Sequence, residues 1–420
     1  MDLSIVIKIF RDCFRWDRIH YPRADVLTVA HDNDRSLLHA ERWYSPLVDT
    51  LEDDLRSRGL RCISVTRIIS RIKGDLSYGN ALSPEGAFAR ALVVKRVFGL
   101  LFRRRYSYSR MEERIWARIL DETGVSSVVG IQPSRELCVA CHKRGIWVAD
   151  IQHGVISESH PWYGEAFRGK DPVKYLPDAF LVWDQGSKQV LDKWAIGKGI
   201  QTIVTGNRWV ARFMMPRSDD VLVNDLLQQY ASENINKTQK KAILVALSWG
   251  EVNIPNGFMV DELRDVIHET SSQYHWFVRL HPNQLNGFAT HEGRKFSKFF
   301  EENLSNFVEW EVATKSPLPI ILSQVDLVIS WNSSVSIEAS QFGLNTCLLD
   351  PRLRPGGTRQ DYYEFYKRRG FIHLIEPTKV QIRKAIDQYL KKEAREEDFD
   401  THNVEYERLL VSLAVKKDFI

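Results

Sequence analysis

The chain has 420 residues, enough for roughly two or three domains, each with a core of its own. Apolar residues make up 44% and charged residues 27%, which excludes a disordered chain. A net charge of +4 is too small for a dedicated nucleic-acid binder, and no apolar run reaches the ~18 residues of a membrane-spanning helix. The stretch from Met1 to Lys8 carries an early acid and no cleavable signal pattern. A cytoplasmic protein with its five cysteines reduced is therefore expected.

Apolar runs of strand length then alternate with helical patterns, as in α/β proteins with parallel sheets. Val26–Ala30 reads as a strand. A helix follows with Ser45 as N-cap and Pro46 at N1, an apolar stripe of Leu47, Val48, Leu51 and Leu55, and Gly59 at its end. Cys62–Val65 is the next strand. Beyond a long basic segment come the strand Val128–Gln132, the helix Ser134–Arg144 closed by Gly145, and the strand Ile146–Gln152. Ala179–Trp183, a helix from about Ser187, and Ile200–Thr205 complete the first half. A polar connection over Met215–Lys241 leads to a second series of strands. These are Ala242–Leu247, His275–Leu280, Phe307–Trp310, Asp326–Ser330, Thr346–Leu349 and Phe371–Ile375, with a helix over Lys379–Tyr389. After the acidic stretch Glu393–Asp400, a last helix is expected from about Val404 to Val415. The pattern gives two Rossmann-like domains facing a central cleft, residues 1–206 and 207–395, followed by a helical tail over 396–420.

Three polar clusters fall at the carboxyl ends of these strands, where open α/β sheets bind ligands. Arg279-Leu280-His281-Pro282-Asn283 ends one strand, and the His281 imidazole is suited to stabilising charge on a departing phosphate. Trp331-Asn332-Ser333-Ser334 ends another and opens a helix whose expected buried stripe is Val335, Ala339 and Phe342. Asn332 or Ser333 would cap that helix, while the paired hydroxyls and free N–H groups would cradle a phosphate. Glu338, one turn inside, is suited to accepting from ribose hydroxyls or to pairing with a base. The third cluster is Gln152-His153-Gly154. Here Gly154 is expected to permit a sharp exit that exposes His153, a group able to take a proton from an attacking hydroxyl. Gly206 and Asn207, ending the last strand of the first half, add a weaker phosphate-approach signal.

Other signals carry less. Cys138-Val139-Ala140-Cys141-His142 matches a haem-attachment spacing but lies inside a well-capped helix, and no second ligand pair supports zinc. Asp32-Asn33-Asp34 has the form of a metal-binding DxD yet reads equally as a turn. Ala91–Arg105 interleaves apolar residues with Lys95, Arg96, Arg103, Arg104 and Arg105, as would a helix in peripheral contact with an anionic membrane or one packed on the sheet.

Across about residues 150–350, these motifs resemble GT-B transferases of bacterial surface polysaccharides. His281-Pro282 and Ser333-Ser334 match the His-Pro and Ser-Ser pairs of capsule enzymes that use CMP-sugars. Where those enzymes place an acidic base before glycine, this chain has Gln152-His153-Gly154, which is more similar to the Trp-His-Gly of CDP-glycerol polymer transferases. Val204-Thr205-Gly206-Asn207 and His281-Pro282-Asn283 also look like segments of UDP-N-acetylglucosamine 2-epimerases, whose Ser-Gly-Gly and Glu-Ala-Gly motifs are missing. The resemblance implies a glycosyltransferase with a nucleotide-sugar donor and a glycan or lipid-linked glycan acceptor, in capsule or O-antigen synthesis. Its donor half would use Gly206, Asn207, Arg279, His281, Asn332, Ser333, Ser334 and Glu338. The acceptor half would use His153 as base, with Glu158, His160 and Asp184 in reserve. No metal or other cofactor is expected. An epimerase, a CDP-glycerol-type glycerophosphotransferase and a non-catalytic glycan-binding module remain the alternatives.

Overall fold

The computed structural model describes residues 3–15, 19–67, 70–101, 108–233, 240–251, 254, 257–285, 290–390 and 399–415. The chain forms two compact units. The first comprises Met1–His153, Pro161–Gly206 and Asp400–Ile420; the second comprises Gly154–His160 and Asn207–Phe399. Two segments thus depart from the contiguous halves read in the sequence. Gly154–His160 belongs with the second unit, and the carboxyl-terminal helix Phe399–Val415 belongs, from Asp400 on, with the first.

The first unit is built on β1 (Val26–Ala30), the hairpin β2 (Leu37–His39) and β3 (Arg42–Tyr44), β4 (Cys62–Thr66), β5 (Ser127–Gly130), β6 (Trp147–Ile151), β7 (Ala179–Val182) and β8 (Gln201–Val204). Six of these form one sheet in the order β4-β1-β5-β6-β7-β8, with every pairing parallel. All five residues of β1 are buried, as the central strand of a sheet covered on both faces requires. Alternate side chains go to opposite faces. Val26 packs with Leu51, Leu55, Tyr406, Leu409 and Leu410, while Leu27 and Val29 pack with Trp116, Leu120, Leu137, Cys138 and Cys141. Cys138 and Cys141 are therefore core residues, and burial raises both thiols.

Local signals place the helices between these strands. Ser134 caps Arg135–His142 by accepting from Leu137 N at 3.2 Å, and Gly145 leaves at φ +66°. The helix read from Ser45 begins at Val48, with Ser45 Oγ still accepting from Val48 N at 3.2 Å. Three elements of this unit lay outside the sequence reading: the helices Leu3–Cys13 and Arg110–Thr123, and the β2–β3 hairpin; the helix read from Ala91 begins earlier, as Glu85–Leu101. The hairpin is locked by Arg35, whose fully buried guanidinium bonds Asp49 at 2.6 Å and Ser64 Oγ at 3.2 Å. Arg103, Arg104 and Arg105 lie outside the described residues.

The second unit carries β9 (Ala242–Ala246), β10 (His275–Arg279), β11 (Val308–Glu309), β12 (Leu327–Ser330), β13 (Asn345–Leu348) and β14 (Ile372–Leu374). Their order is β11-β10-β9-β12-β13-β14, again all parallel. One face is filled by Ile243, Val245, Trp276, Val278, Leu327 and Ile329, with the aromatic group of Phe258, Phe296 and Trp310 beside them. The strand expected over Phe307–Trp310 shrinks to two residues. The Glu309 carboxylate accepts from Val312 N at 2.6 Å and Ala313 N at 2.9 Å, which starts the helix Glu311–Lys315 at once.

Candidate active site

In the second unit, β9 lies between β10 and β12, so the ends of three adjacent strands present Ser248, His281 and Asn332–Ser334 on one edge. His281 opens a tight turn in which its own N–H donates to Gln284 Oε1 at 2.9 Å. Its Nδ1 accepts from Asn283 N at 3.1 Å, which fixes the neutral ring as an Nε2–H donor. Burial pushes its pKa down to about 4, so the ring is a neutral donor at pH 7 rather than a cation. Trp249 flanks it, with ring centroids 5.8 Å apart.

Glu338, on the helix Val335–Gln341, is pushed up to about 7 by burial, against the opposing pull of Arg279 and a hydrogen bond from Asn207 Nδ2 at 3.4 Å. Arg279 is spent structurally. Its Nη1 donates to the carbonyls of Ala313 and Ser316, and desolvation lowers its pKa to about 10. Asn207 caps the helix Arg208–Met214 by accepting from Val210 N at 3.3 Å, and Gly206 before it turns at φ +71°.

Asn332 is equally committed. Its amide takes the Tyr363 hydroxyl at 2.8 Å and donates to Asp350 at 3.3 Å, while its carbonyl accepts from Ser248 Oγ at 2.9 Å. Ser333 Oγ accepts from Val335 N at 3.3 Å, and Ser334 makes no side-chain cap. Of the expected stripe Val335, Ala339 and Phe342 the helix buries only Ala339, together with Ser336, Ile337, Ser340 and Gln341. It is only seven residues long, and Gly343 at φ +69° turns the chain away before the longer period can apply.

In the first unit, His153 follows β6, and Tyr163 OH lies 2.9 Å from its Nδ1. Either group can donate in this pair; in the tautomer with Nδ1–H donating to the phenol oxygen, Nε2 carries the lone pair. Burial raises the Tyr163 phenol, so it stays neutral. Around it sits a cluster that the sequence reading missed. His31 and Asp34 follow β1, Arg67 follows β4, and Asp150 ends β6. Asp34 is pushed up to about 7 by burial, and Asp150 to about 6 despite hydrogen bonds from Trp162 Nε1 at 2.7 Å and Gln132 N at 2.9 Å. Burial, Arg67 and His153 together hold His31 well below its ordinary pKa. The signal for this cluster was Asp32-Asn33-Asp34 after a strand. Asp32 in fact accepts from Ser70 Oγ and from the backbone N–H groups of Arg71 and Ile72. Among the described residues no group of His, Cys, Asp or Glu is arranged to hold a metal ion.

Four expectations near His153 change. Gln152 is buried, with its Oε1 accepting from Trp183 N at 2.7 Å and its Nε2 donating to Ser187 Oγ at 3.3 Å. Asp184 is the cap of the helix Gln185–Ala195, accepting from Ser187 N at 2.7 Å and Ser187 Oγ at 2.9 Å, so it is no base. Gly154 has neither a positive φ nor any atom within 4 Å of an added Cβ, so the exit does not need glycine. Glu158 is exposed, and His160 is held down to about 4 by burial and Arg359. Both fall in the second unit and not in that of His153, in a segment held by Asp361 through Ser159 N at 2.7 Å.

No protein-family model matches the chain, and no curated protein matches it either. Among solved structures it is similar to a UDP-GlcNAc 2-epimerase from Neisseria meningitidis bound to UDP-GlcNAc, with 16% identity, a TM-score of 0.57, and 93% of this chain and 99% of that one covered. It is also similar to the wall teichoic acid polymerase TagF, with 12% identity, a TM-score of 0.55, and 98% and 89% covered. The S. aureus MnaA–UDP co-structure gives 14% identity, a TM-score of 0.54, and 94% and 98% covered. At such identities the likeness speaks to architecture, and together with two all-parallel six-stranded sheets it identifies the chain as having the GT-B fold.

Proposed function

We propose that the protein is a glycosyltransferase that moves a sugar from a nucleotide-sugar donor to a lipid-linked glycan in bacterial capsule or O-antigen synthesis, on the cytoplasmic side of the membrane. The observation that carries this reading is the locked Nε2–H tautomer of His281, on the same sheet edge as Glu338 and Ser334. Similar structures hold UDP-GlcNAc and UDP, which supports a nucleotide-linked donor. In the reaction the acceptor hydroxyl gives its proton to His153 Nε2, and its oxygen attacks the anomeric carbon. The bond from that carbon to the phosphate oxygen breaks, and the electron pair leaves with the nucleotide. His281 Nε2–H and the Ser334 hydroxyl would meet the charge on the departing phosphate without calling on a metal. Glu338 would take the ribose hydroxyls. Asp34 is the first unit's alternative proton acceptor. The segment Ala91–Arg105 would rest against anionic lipid and bring the acceptor within reach.

One second reading has a specific observation in its favour. A histidine stands at position 153, where CMP-sugar transferases place a carboxylate, and TagF is among the similar structures, so glycerol phosphate from CDP-glycerol is a competing donor group. The test is to incubate the full chain with labelled CMP-, UDP- and GDP-sugars and CDP-glycerol, with and without a lipid-linked acceptor. Acceptor-dependent sugar transfer is expected. Turnover without acceptor would indicate an epimerase, transfer from CDP-glycerol alone would establish the second reading, and normal cellular polymer in a folded His153→Ala strain would mean a non-catalytic module.

A further inference from the structure

The helix Leu3–Cys13 turns an ion pair, Lys8 and Asp12, toward the protein. Lys8 Nζ bonds Asp12 at 2.8 Å and Glu85 at 3.1 Å, and both carboxylates are almost wholly buried. Lys73 also pairs with Glu85. Arg90 donates to the carbonyls of Cys13 and Arg15 at 3.0 and 2.7 Å, and a Cβ at Gly86 would collide with the Arg15 carbonyl. The helix is thus clamped on the first turns of Glu85–Leu101. Ile9 is buried on the same side, but a second set of apolar residues points away. Ile7, Phe10 and Phe14 are 60%, 61% and 72% exposed, at the spacing of one helical stripe, and the rings of Phe10 and Phe14 lie 6.0 Å apart. The bracing helix adds exposed Val94, Val97 and Phe98.

Single exposed apolar residues are ordinary, but a row on each of two paired helices marks a surface that something covers. The charge pattern says what. Arg11 and Arg15 stand exposed beside the stripe, and Arg96 is exposed on the second helix. The only acids on either helix are Asp12 and Glu85, both buried, so among the described residues neither helix shows an exposed carboxylate. Apolar side chains flanked by cations alone complement an anionic lipid surface. We propose that Leu3–Cys13, braced by Glu85–Leu101, lies in the interface of an anionic bilayer, with Ile7, Phe10 and Phe14 at the acyl boundary and Arg11 and Arg15 at the phosphates. This inference stands apart from the transfer reaction and holds whichever donor is used.

The experiment sediments the full chain with vesicles of phosphatidylcholine, alone or mixed with phosphatidylglycerol. Binding to the mixed vesicles is expected, falling about tenfold or more when phosphatidylglycerol is omitted or salt is raised. Phe10→Glu with Phe14→Glu should reduce binding by a similar factor while leaving the melting temperature and its shift with nucleotide unchanged. Phe10→Trp keeps the apolar face. The emission it adds over the wild type should shift to the blue on the mixed vesicles and be quenched by brominated lipid. Equal sedimentation of wild type and the double variant, or no shift in the emission that Phe10→Trp adds, overturns the proposal. So does a concentration-dependent dimer that the double variant dissolves while vesicles fail to bind, because the cover would then be a second copy of the chain.

Discussion

At the carboxyl edge of the second sheet, the polar side chains are tied down. Arg279 donates to backbone carbonyls, Asn207 accepts from Val210 N, Asn332 takes the Tyr363 hydroxyl, and His281 is held as one neutral tautomer. At the same edge of the first sheet, the notable groups are buried ionisable side chains: His31, Asp34, Arg67 and Asp150 around His153. Rigid, neutral donors suit the binding of a fixed anionic group. Carboxyls raised to about 6 and 7 sit where a proton can be moved near neutral pH. The same topology thus offers a holding edge and a proton-handling edge.

The largest expected effect comes from separating those two roles. His153→Ala should lower transfer by ~10²–10⁴-fold while the melting-temperature rise with nucleotide is unchanged. A variant that also lost the nucleotide shift would break the division of labour. His281→Ala should do the converse, weakening the nucleotide shift and lowering transfer by ~10²–10³-fold, the cost of one missing donor to a developing anion. Because burial holds the His281 pKa at about 4, its donor form persists through mildly acidic solution. An acid limb in the rate above pH 5 should therefore survive in His281→Asn.

Glu338 sharpens the comparison, since it is a raised carboxyl on the holding edge. Its folded pKa of about 7 lies above its ordinary value of 4.5. Its contribution to stability is therefore complete below about pH 4.5 and lost as pH rises through 7. Glu338→Gln, which keeps an oxygen for Asn207, should match the wild type near pH 4.5 and melt higher at pH 8. A difference that does not change with pH would mean that Arg279 already holds Glu338 ionised.

What could be read from the sequence follows the range of the interaction responsible. The strands of both sheets are short apolar runs, and Ser134 and Gly145 bound their helix through bonds to near neighbours. His281 and His153 were legible because a polar residue directly after such a run must emerge at the sheet edge. The His31, Arg67 and Asp150 cluster was not, because its members come from β1, β4 and β6, which are far apart in the chain and are brought into one sheet only by the fold. Glu158 and His160 were assigned to the wrong unit because the bond that settles the matter joins Ser159 to Asp361, 202 positions away. Lys8 and Asp12 stand at i, i+4 on a helix that the sequence reading did not include. Only Glu85, from another helix, turns them inward.

The smallest expected effect tests the reading of glycine at the two strand ends. Gly154 and Gly206 both follow a strand and both looked like turn residues. Gly206 sits at φ +71°, where a Cβ costs ~1–2 kcal/mol, so Gly206→Ala should destabilise the chain by that amount. Gly154 lacks a positive φ and has open space at its Cβ position, so Gly154→Ala should shift unfolding by no more than ~0.5 kcal/mol. If it instead abolishes transfer at unchanged stability, the open space beside His153 is needed by substrate. The glycine would then be there for the acceptor's approach, and its position next to the base would owe nothing to the backbone.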